Sequence, residues 1–181
     1  MTEFGFIDKI CARFAELPLN GFEGIGDDCA VLPVADGDAL LFTADLLNEG
    51  VHFLRRATSA LGGKALAVNL SDIAAMGGRP VATLLSLALP PDAGETWAEE
   101  FMEGYRALSE RYGVALVGGD TTRSGQGITI NVTAIGRAPL SCIKRRSAAR
   151  PGDVLFTTGA LGASGAGLRD LLAGRLDTPA A

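Results

Sequence analysis

Histidine and cysteine are nearly absent from this 181-residue chain, which has one histidine, His52, and three cysteines, Cys11, Cys29 and Cys142. The cysteines have no metal-ligand spacing, so no His/Cys zinc site is on offer. They are odd in number, and the expectation for them is small buried side chains in a reducing compartment. A basic excess is missing too. The net charge of −5 argues against nucleic acid as the main partner, because nucleic-acid binders carry a basic face. No stretch of about 18 uncharged apolar residues occurs, so nothing in the sequence is fit to span a membrane. The opening Met1-Thr2-Glu3-Phe4 lacks the cationic segment and long apolar core of a secretory signal. A soluble cytoplasmic protein is expected. A P-loop is also missing, since Gly62-Gly63-Lys64 lacks both the spacing and the following hydroxyl residue. No Ser–His or Cys–His pair offers an activated nucleophile.

What is present is a globular composition, 48% hydrophobic and 20% charged, with strong periodicity. Phe4, Ile7, Ile10, Cys11, Phe14 and Leu17 recur at helical spacing and predict an amphipathic helix over 4–17, stopped by Pro18. Strand-like runs at 29–34 and 39–46 flank Ala35-Asp36-Gly37-Asp38, which suits a hairpin. A helix is expected over 59–76, closed by Gly77-Gly78. The continuous apolar run 81–89 predicts a buried strand. A second amphipathic helix over 95–112 carries Trp97, Phe101, Tyr105, Leu108 and Tyr112 on one stripe. A short buried strand at 114–117 leads into Gly118-Gly119-Asp120, and 128–135 alternates by twos as a half-buried strand.

Residues 137–152 are basic and turn-rich and mark a boundary. One strand (154–158), a glycine loop and one helix to about Leu176 follow. A strand and a helix cannot bury their faces alone, so the chain is expected to be the first part of a longer, two-domain protein. The division is residues 1–139 for the first domain, with 140–181 as linker and beginning of the second. The fold class is α+β, a mixed sheet with flanking helices followed by an incomplete α/β domain.

Four acidic segments stand out in glycine- or turn-rich settings: Gly24-Ile25-Gly26-Asp27-Asp28, Thr43-Ala44-Asp45, Asn69-Leu70-Ser71-Asp72 and Gly118-Gly119-Asp120-Thr121-Thr122. Asp45 is expected at a strand end, where side chains point into a cleft. Asp72 lies late in a helix inside an apolar segment, where an unpaired acid is costly, with Asn69 three residues earlier on the same face. Singly, each acid is better explained as a helix cap or turn former. Together they suit Mg²⁺, which takes oxygen ligands, keeps several waters, and is held by a few carboxylates with substrate phosphates. The adjacent glycines before Asp120 can present N–H groups to phosphate. A lone His is by itself more often incidental, but the place of His52, seven residues beyond Asp45, favours its reaching the same cleft; Arg146 has the plain alternative of one member of a solvated basic turn.

The stretches Ile25-Gly26-Asp27-Asp28-Cys29-Ala30-Val31, Thr43-Ala44-Asp45 with Glu49-Gly50-Val51-His52-Phe53, Ala67 through Gly77, and Gly118-Gly119-Asp120-Thr121-Thr122 together resemble the thiamine-monophosphate kinase family. That family belongs to the superfamily of aminoimidazole ribonucleotide synthetase, whose other ATP-dependent members are the alternative reading, along with a non-catalytic dimerising fragment. The resemblance covers essentially the whole chain. It implies an N-terminal domain that forms a homodimer through strands, and ATP- and Mg²⁺-dependent phosphorylation of thiamine monophosphate to thiamine diphosphate. It implies several Mg²⁺ ions held by Asp28, Asp45, Asp72 and Asp120, with Thr43 as a further metal contact. Gly119, Asp120 and Arg146 are implied to touch ATP, and His52 the thiamine phosphate. No residue is expected to act as a nucleophile, since the transfer is in-line and metal-assisted. Two departures stand out: the family has Thr where Ala44 stands, so any contact there comes from the backbone, and much of the second domain is missing.

Overall fold

The computed structural model describes residues 2–55, 58–157 and 159–175. The chain forms two compact units, residues 1–147 and residues 148–181. In the first, helix α1 (Glu3–Phe14) precedes strands β1 (Ala30–Pro33) and β2 (Asp38–Asn48), then helix α2 (Thr58–Ala75) and strand β3 (Arg79–Leu89). Helix α3 (Glu95–Tyr112) and strands β4 (Ala115–Arg123) and β5 (Thr129–Pro139) complete it. The second unit contains helix α4 (Ala163–Leu172).

The five strands form one mixed sheet in the order β1-β2-β5-β3-β4. β2 pairs antiparallel with β1 and β5, and β5 with β3. β3 and β4 run parallel, joined through α3 as a βαβ unit. Pro80 has no N–H to give the ladder, and the β3–β5 register slips between Pro80 and Ala82 at that point.

Helices α2 and α3 cover one face. Residues at alternate positions of β2, β5 and β3 point to it: Leu41, Thr43 and Leu47; Ile130, Val132 and Ala134; Thr83, Leu85 and Leu87 are all buried. Trp97, Phe101 and Tyr105 of α3 pack among them, and the Tyr105 hydroxyl donates to Thr83 Oγ1 at 2.8 Å. The two helices meet backbone to backbone. A Cβ at Gly62 would lie 1.9 Å from the Phe101 carbonyl oxygen, and one at Gly104 would lie 1.7 Å from that of Ser59. Gly62 is thus a packing glycine. A second cluster, with Cys29, Val31, Leu41, Ile73, Met76 and Ile143, fills the end of the sheet near β1.

Several expectations are corrected. Helix α1 ends at Phe14, before Pro18, and buries no residue, with Phe4 75% and Phe14 55% exposed. The apolar stripe is real, but its Ile7, Ile10 and Cys11 are only half-buried and its phenylalanines stay exposed. The strand expected at 114–117 continues through the Gly-Gly-Asp-Thr-Thr segment to Arg123 and is exposed along its length, because it is the sheet's edge. Asp45 lies inside β2, three residues short of its end. Residues 154–157 form no strand, and Thr158 and Leu176 lie outside the described residues. Of the cysteines only Cys29 is buried, and Cys142 is exposed.

Candidate functional site

The glycine-rich loop before β1, the middle of β2 and the last turns of α2 bring carboxylates together at one end of the helix-covered face. Asp45 and Thr43 share that face because they are two apart in a strand. Asn69 and Asp72 share one side of α2 because they are three apart in a helix. The two pairs interlock: Thr43 Oγ1 donates to Asp72 Oδ2 at 2.6 Å, and the Asp45 backbone N–H donates to Asn69 Oδ1 at 3.1 Å. Asn69 is wholly buried and its amide donates to the Ala65 carbonyl, so its orientation is set from both ends. On the other side of β2, Asn131 Nδ2 donates to the Asp45 carbonyl at 3.1 Å.

Asp27 and Asp28 face the same region from the loop. Arg146 Nη2 donates to Asp28 Oδ1 at 2.5 Å, and the Arg146 backbone N–H donates to Asp27 Oδ1 at 2.9 Å. The guanidinium pKa is raised, first by that bond to Asp28 and then by the charges of Asp28, Asp27 and Asp72. Cys29 is surrounded by the same acids. Burial above all, and then Asp72, Asp28 and Asp27, push its thiol up to about 12, so it stays protonated as a packing residue. The Asp45 carboxyl is raised above its ordinary value by burial and by the Asp72 charge, while His52 works in the opposite direction.

His52 sits on the loop after β2. Its Nδ1 accepts the Asn48 N–H at 3.0 Å, and its carbonyl oxygen accepts Lys64 Nζ at 2.6 Å. With Nδ1 used as an acceptor, the neutral ring carries its proton on Nε2 and offers a donor outward.

Asp28, Thr43, Asp45, Asp72 and Arg146 therefore converge, with His52 beside them. Gly119 and Asp120 stand apart. In register, Asp45 faces Val132, Val132 faces Leu85, and Leu85 faces Gly119. That is three strand spacings, about 14 Å. Asp120 instead aligns with Ser86, Asn131 and Leu46, which places it on the sheet face opposite Asp45. Asp27 and Asn69 also take part in the site, and neither carries a motif role of its own, although the i,i+3 spacing sets Asn69 on the face of Asp72. Asn131 carried no signal beyond an asparagine in an apolar strand.

The donor set is hard oxygen: carboxylates and a threonine hydroxyl. Such a set fits Mg²⁺ and offers nothing to soft metals. The Asp45 carboxyl is raised first by burial and then by the Asp72 charge, and a bound cation would favour its charged form against both. Among the described residues no group of three or more His, Cys, Asp or Glu side chains forms a ready-made ion cage, so the acids are linked pairwise, through Thr43 and Arg146.

This sheet, with acids at its helix-covered face and a Gly-Gly-Asp edge strand, defines the class. The chain belongs to the AIR synthase related protein family, the model of whose N-terminal domain matches residues 26–138. Within that class it is similar to the thiamine-monophosphate kinase of Escherichia coli (strain K12), at 42% identity over 167 residues, covering 92% of this chain and 50% of that protein. It is similar to the crystal structure of thiamine monophosphate kinase from Aquifex aeolicus, at 37% identity and TM-score 0.83, covering 98% of this chain and 57% of that one. A structure described as AaThiL complexed with AMPPCP and TMP superposes with TM-score 0.88 at 40% identity, over 97% of this chain and 54% of that one. The chain spans about half the length of the curated relatives it matches.

Proposed function

We propose that this chain carries the cation- and nucleotide-binding half of an enzyme that phosphorylates thiamine monophosphate to thiamine diphosphate with ATP. The observation that carries the reading is the convergence of Asp28, Thr43, Asp45 and Asp72 in a chain that resembles, along nearly its whole length, a protein complexed with AMPPCP and TMP. Asp28, Thr43, Asp45 and Asp72 would hold Mg²⁺. When bound, Mg²⁺ supplies the charge neutralisation that a transfer between two anions requires. The chain's own residues do the rest. Thr43 orients Asp72, Asn69 fixes the backbone at Asp45, and Arg146 offers its guanidinium to a polyphosphate. His52 Nε2–H donates to the acceptor phosphate. No side chain attacks phosphorus, because the acceptor's own phosphate oxygen does.

Asp120 and Gly119 join this reading through a second copy. The face opposite the helices exposes Leu46 and Leu84 at 52% and 37%, and Asp120 lies on that same side. A homodimer formed over this face would cover the apolar surface. Asp120, on that side, would then stand in the interface between the two copies. A sedimentation experiment showing a monomer at micromolar concentration would remove this part.

The test of the whole is a product assay with ATP, Mg²⁺ and thiamine monophosphate on the protein that contains this chain. Thiamine diphosphate is the expected product, and its absence in the presence of bound nucleotide overturns the reading. Residues 1–181 alone are expected to bind Mg²⁺-ATP weakly and not to turn over.

A further inference from the structure

The Glu49 carboxylate accepts three hydrogen bonds and lies outside the carboxylate cluster. Its Oε2 accepts the Ile128 N–H at 2.9 Å and Arg55 Nη2 at 2.8 Å, and its Oε1 accepts Arg55 Nε at 3.0 Å. Arg55 Nη1 in turn reaches Asp92 Oδ2 at 3.1 Å. The Glu49 carboxyl is held below its ordinary range, first by the Arg55 hydrogen bonds and then by the Ile128 N–H, so it is an anion wherever the protein is folded near neutral pH.

These contacts close a small ring of chain. Residues 49–55 leave β2, turn, and return to the foot of Glu49. Inside the ring, Gly50 N–H donates to the Phe53 carbonyl at 2.8 Å, and the His52 N–H donates to the Asn48 carbonyl at 2.9 Å. Phe53 packs against the core. Outside it, Asn48 Oδ1 accepts the Thr129 hydroxyl at 2.8 Å, and Lys64 holds the His52 carbonyl. Within this ring the exposed His52 imidazole is tied back by one bond, the Asn48 N–H to its Nδ1 at 3.0 Å. A bidentate Arg–carboxylate pair fixes both distance and plane, and here it fixes them across the segment that bears the imidazole.

We propose that Glu49, clamped by Arg55 and the Ile128 N–H, is a positioning residue for His52. It sets the loop geometry in which Asn48 N–H occupies Nδ1, and so selects the tautomer that presents Nε2–H to an acceptor phosphate. The proposal rests on the role given to His52 above, and its physical core, the selection of a tautomer, is measurable without any substrate. Nitrogen-15 NMR of the imidazole reads which nitrogen carries the proton. In the unaltered chain one tautomer, with hydrogen on Nε2, is expected to dominate. In Glu49→Ala both tautomers are expected, because the loop no longer holds Asn48 N–H against Nδ1. Glu49→Gln keeps an oxygen for Ile128 but loses the Arg55 clamp, and is expected to fall between the two.

Kinetics on the protein containing this chain then separate the two ideas. Glu49→Ala is expected to raise KM for thiamine monophosphate about five- to tenfold with kcat and the KM for ATP little changed. An imidazole spectrum unchanged in Glu49→Ala overturns the clamp, whatever the kinetics. A changed spectrum alongside a His52→Ala variant with normal KM leaves the clamp standing and removes the substrate role of His52. Should Glu49→Ala not fold, Arg55→Gln leaves the Ile128 contact intact and must shift the tautomer in the same direction; an unshifted ring there overturns the proposal as well.

Discussion

Arg146 reaches back across 118 residues of sequence to Asp28, its Nη2 2.5 Å from Oδ1, and anchors itself through its backbone N–H to Asp27. The guanidinium thus stands where a cation bound to Asp28 would stand. A charge that neutralises the acids in the metal-free chain and is also offered to a polyphosphate has to choose between them. The two roles compete.

Arg146→Ala is therefore expected to strengthen the binding of Mg²⁺ alone, roughly two- to fivefold, the scale of a single exposed ion pair. Binding of Mg²⁺-ATP is expected to weaken in the same variant. Isothermal titration with Mg²⁺ and then with Mg²⁺-ATP reads both. Weaker binding of the bare ion would mean that Arg146 supports the acids and does not compete for them.

Asp45 predicts a trade between stability and function. Its folded-state carboxyl is raised above 3.8 by burial and by Asp72. Below pH 3.8 the carboxyl is protonated folded or unfolded and costs nothing. As pH rises through the folded value, the unfolded chain releases the proton more readily and stability is lost. Asp45→Asn is expected to melt above the unaltered chain at pH 7 without divalent ions, and the gap is expected to close toward pH 3.8. Mg²⁺ should raise the melting temperature of the unaltered chain and move Asp45→Asn less. In the protein containing this chain, the same substitution is expected to remove most turnover. A variant that melts lower at pH 7 would mean that Asp45 already has a sufficient positive partner.

How far the sequence discloses this molecule depends on which residues are asked. The Asn69–Asp72 spacing and the position of Thr43 and Asp45 in one strand were enough to set the interlocked pair, because helix and strand periodicities dictate faces locally. The Gly118–Arg123 segment misled, since paired glycines signal a turn, and only the parallel pairing with β3 makes them strand. The same pairing puts Asp120 on the other face from Asp45, a long-range fact that no local pattern carries. Helix α1 shows a further limit. Its apolar stripe was legible, but a stripe says that a face is apolar and not what covers it. The Arg146–Asp28 contact joins segments with no shared motif, so no local pattern carries its geometry.

Gly119 gives a sharp test of the β4 geometry. It has φ of +150°, and a Cβ there would lie 1.7 Å from the Leu85 carbonyl oxygen in the paired strand. Backbone cannot yield as a side-chain tip can. Gly119→Ala is expected to cost about 2 to 4 kcal/mol in urea denaturation, through strain and a parted β3–β4 ladder. At Gly118 the nearest atom to an added Cβ is Leu84 Cδ2, at 3.2 Å, the end of a flexible side chain. Gly118→Ala is expected to stay within about 1 kcal/mol of the unaltered chain. Equal losses at both positions would mean that residues 118–119 do not hold this strand conformation.

His52 and the carboxylates should separate cleanly in kinetics. The imidazole uses Nδ1 to accept Asn48 N–H and is left with an outward Nε2–H donor, which suits a phosphate oxygen and is useless to Mg²⁺, an ion that takes oxygen ligands. Only as a cation, with the Asn48 bond given up, would the ring favour the charged form of Asp45. In the protein containing this chain, His52→Ala is expected to raise KM for thiamine monophosphate while leaving ATP and Mg²⁺ dependence much less altered. The loss of one such hydrogen bond corresponds to roughly 5- to 30-fold. His52→Gln, whose amide can donate from a similar distance, is expected to recover part of the loss. Asp72→Asn should do the reverse, shifting the Mg²⁺ requirement and turnover with a smaller change in KM for thiamine monophosphate. If His52→Ala changes only the Mg²⁺ requirement, the imidazole acts through Asp45 and not on the substrate. In that case the Asp45 carboxyl, freed from the one group that lowers its pKa, should titrate higher still, and a carboxyl-resolved NMR titration of the variant would show it.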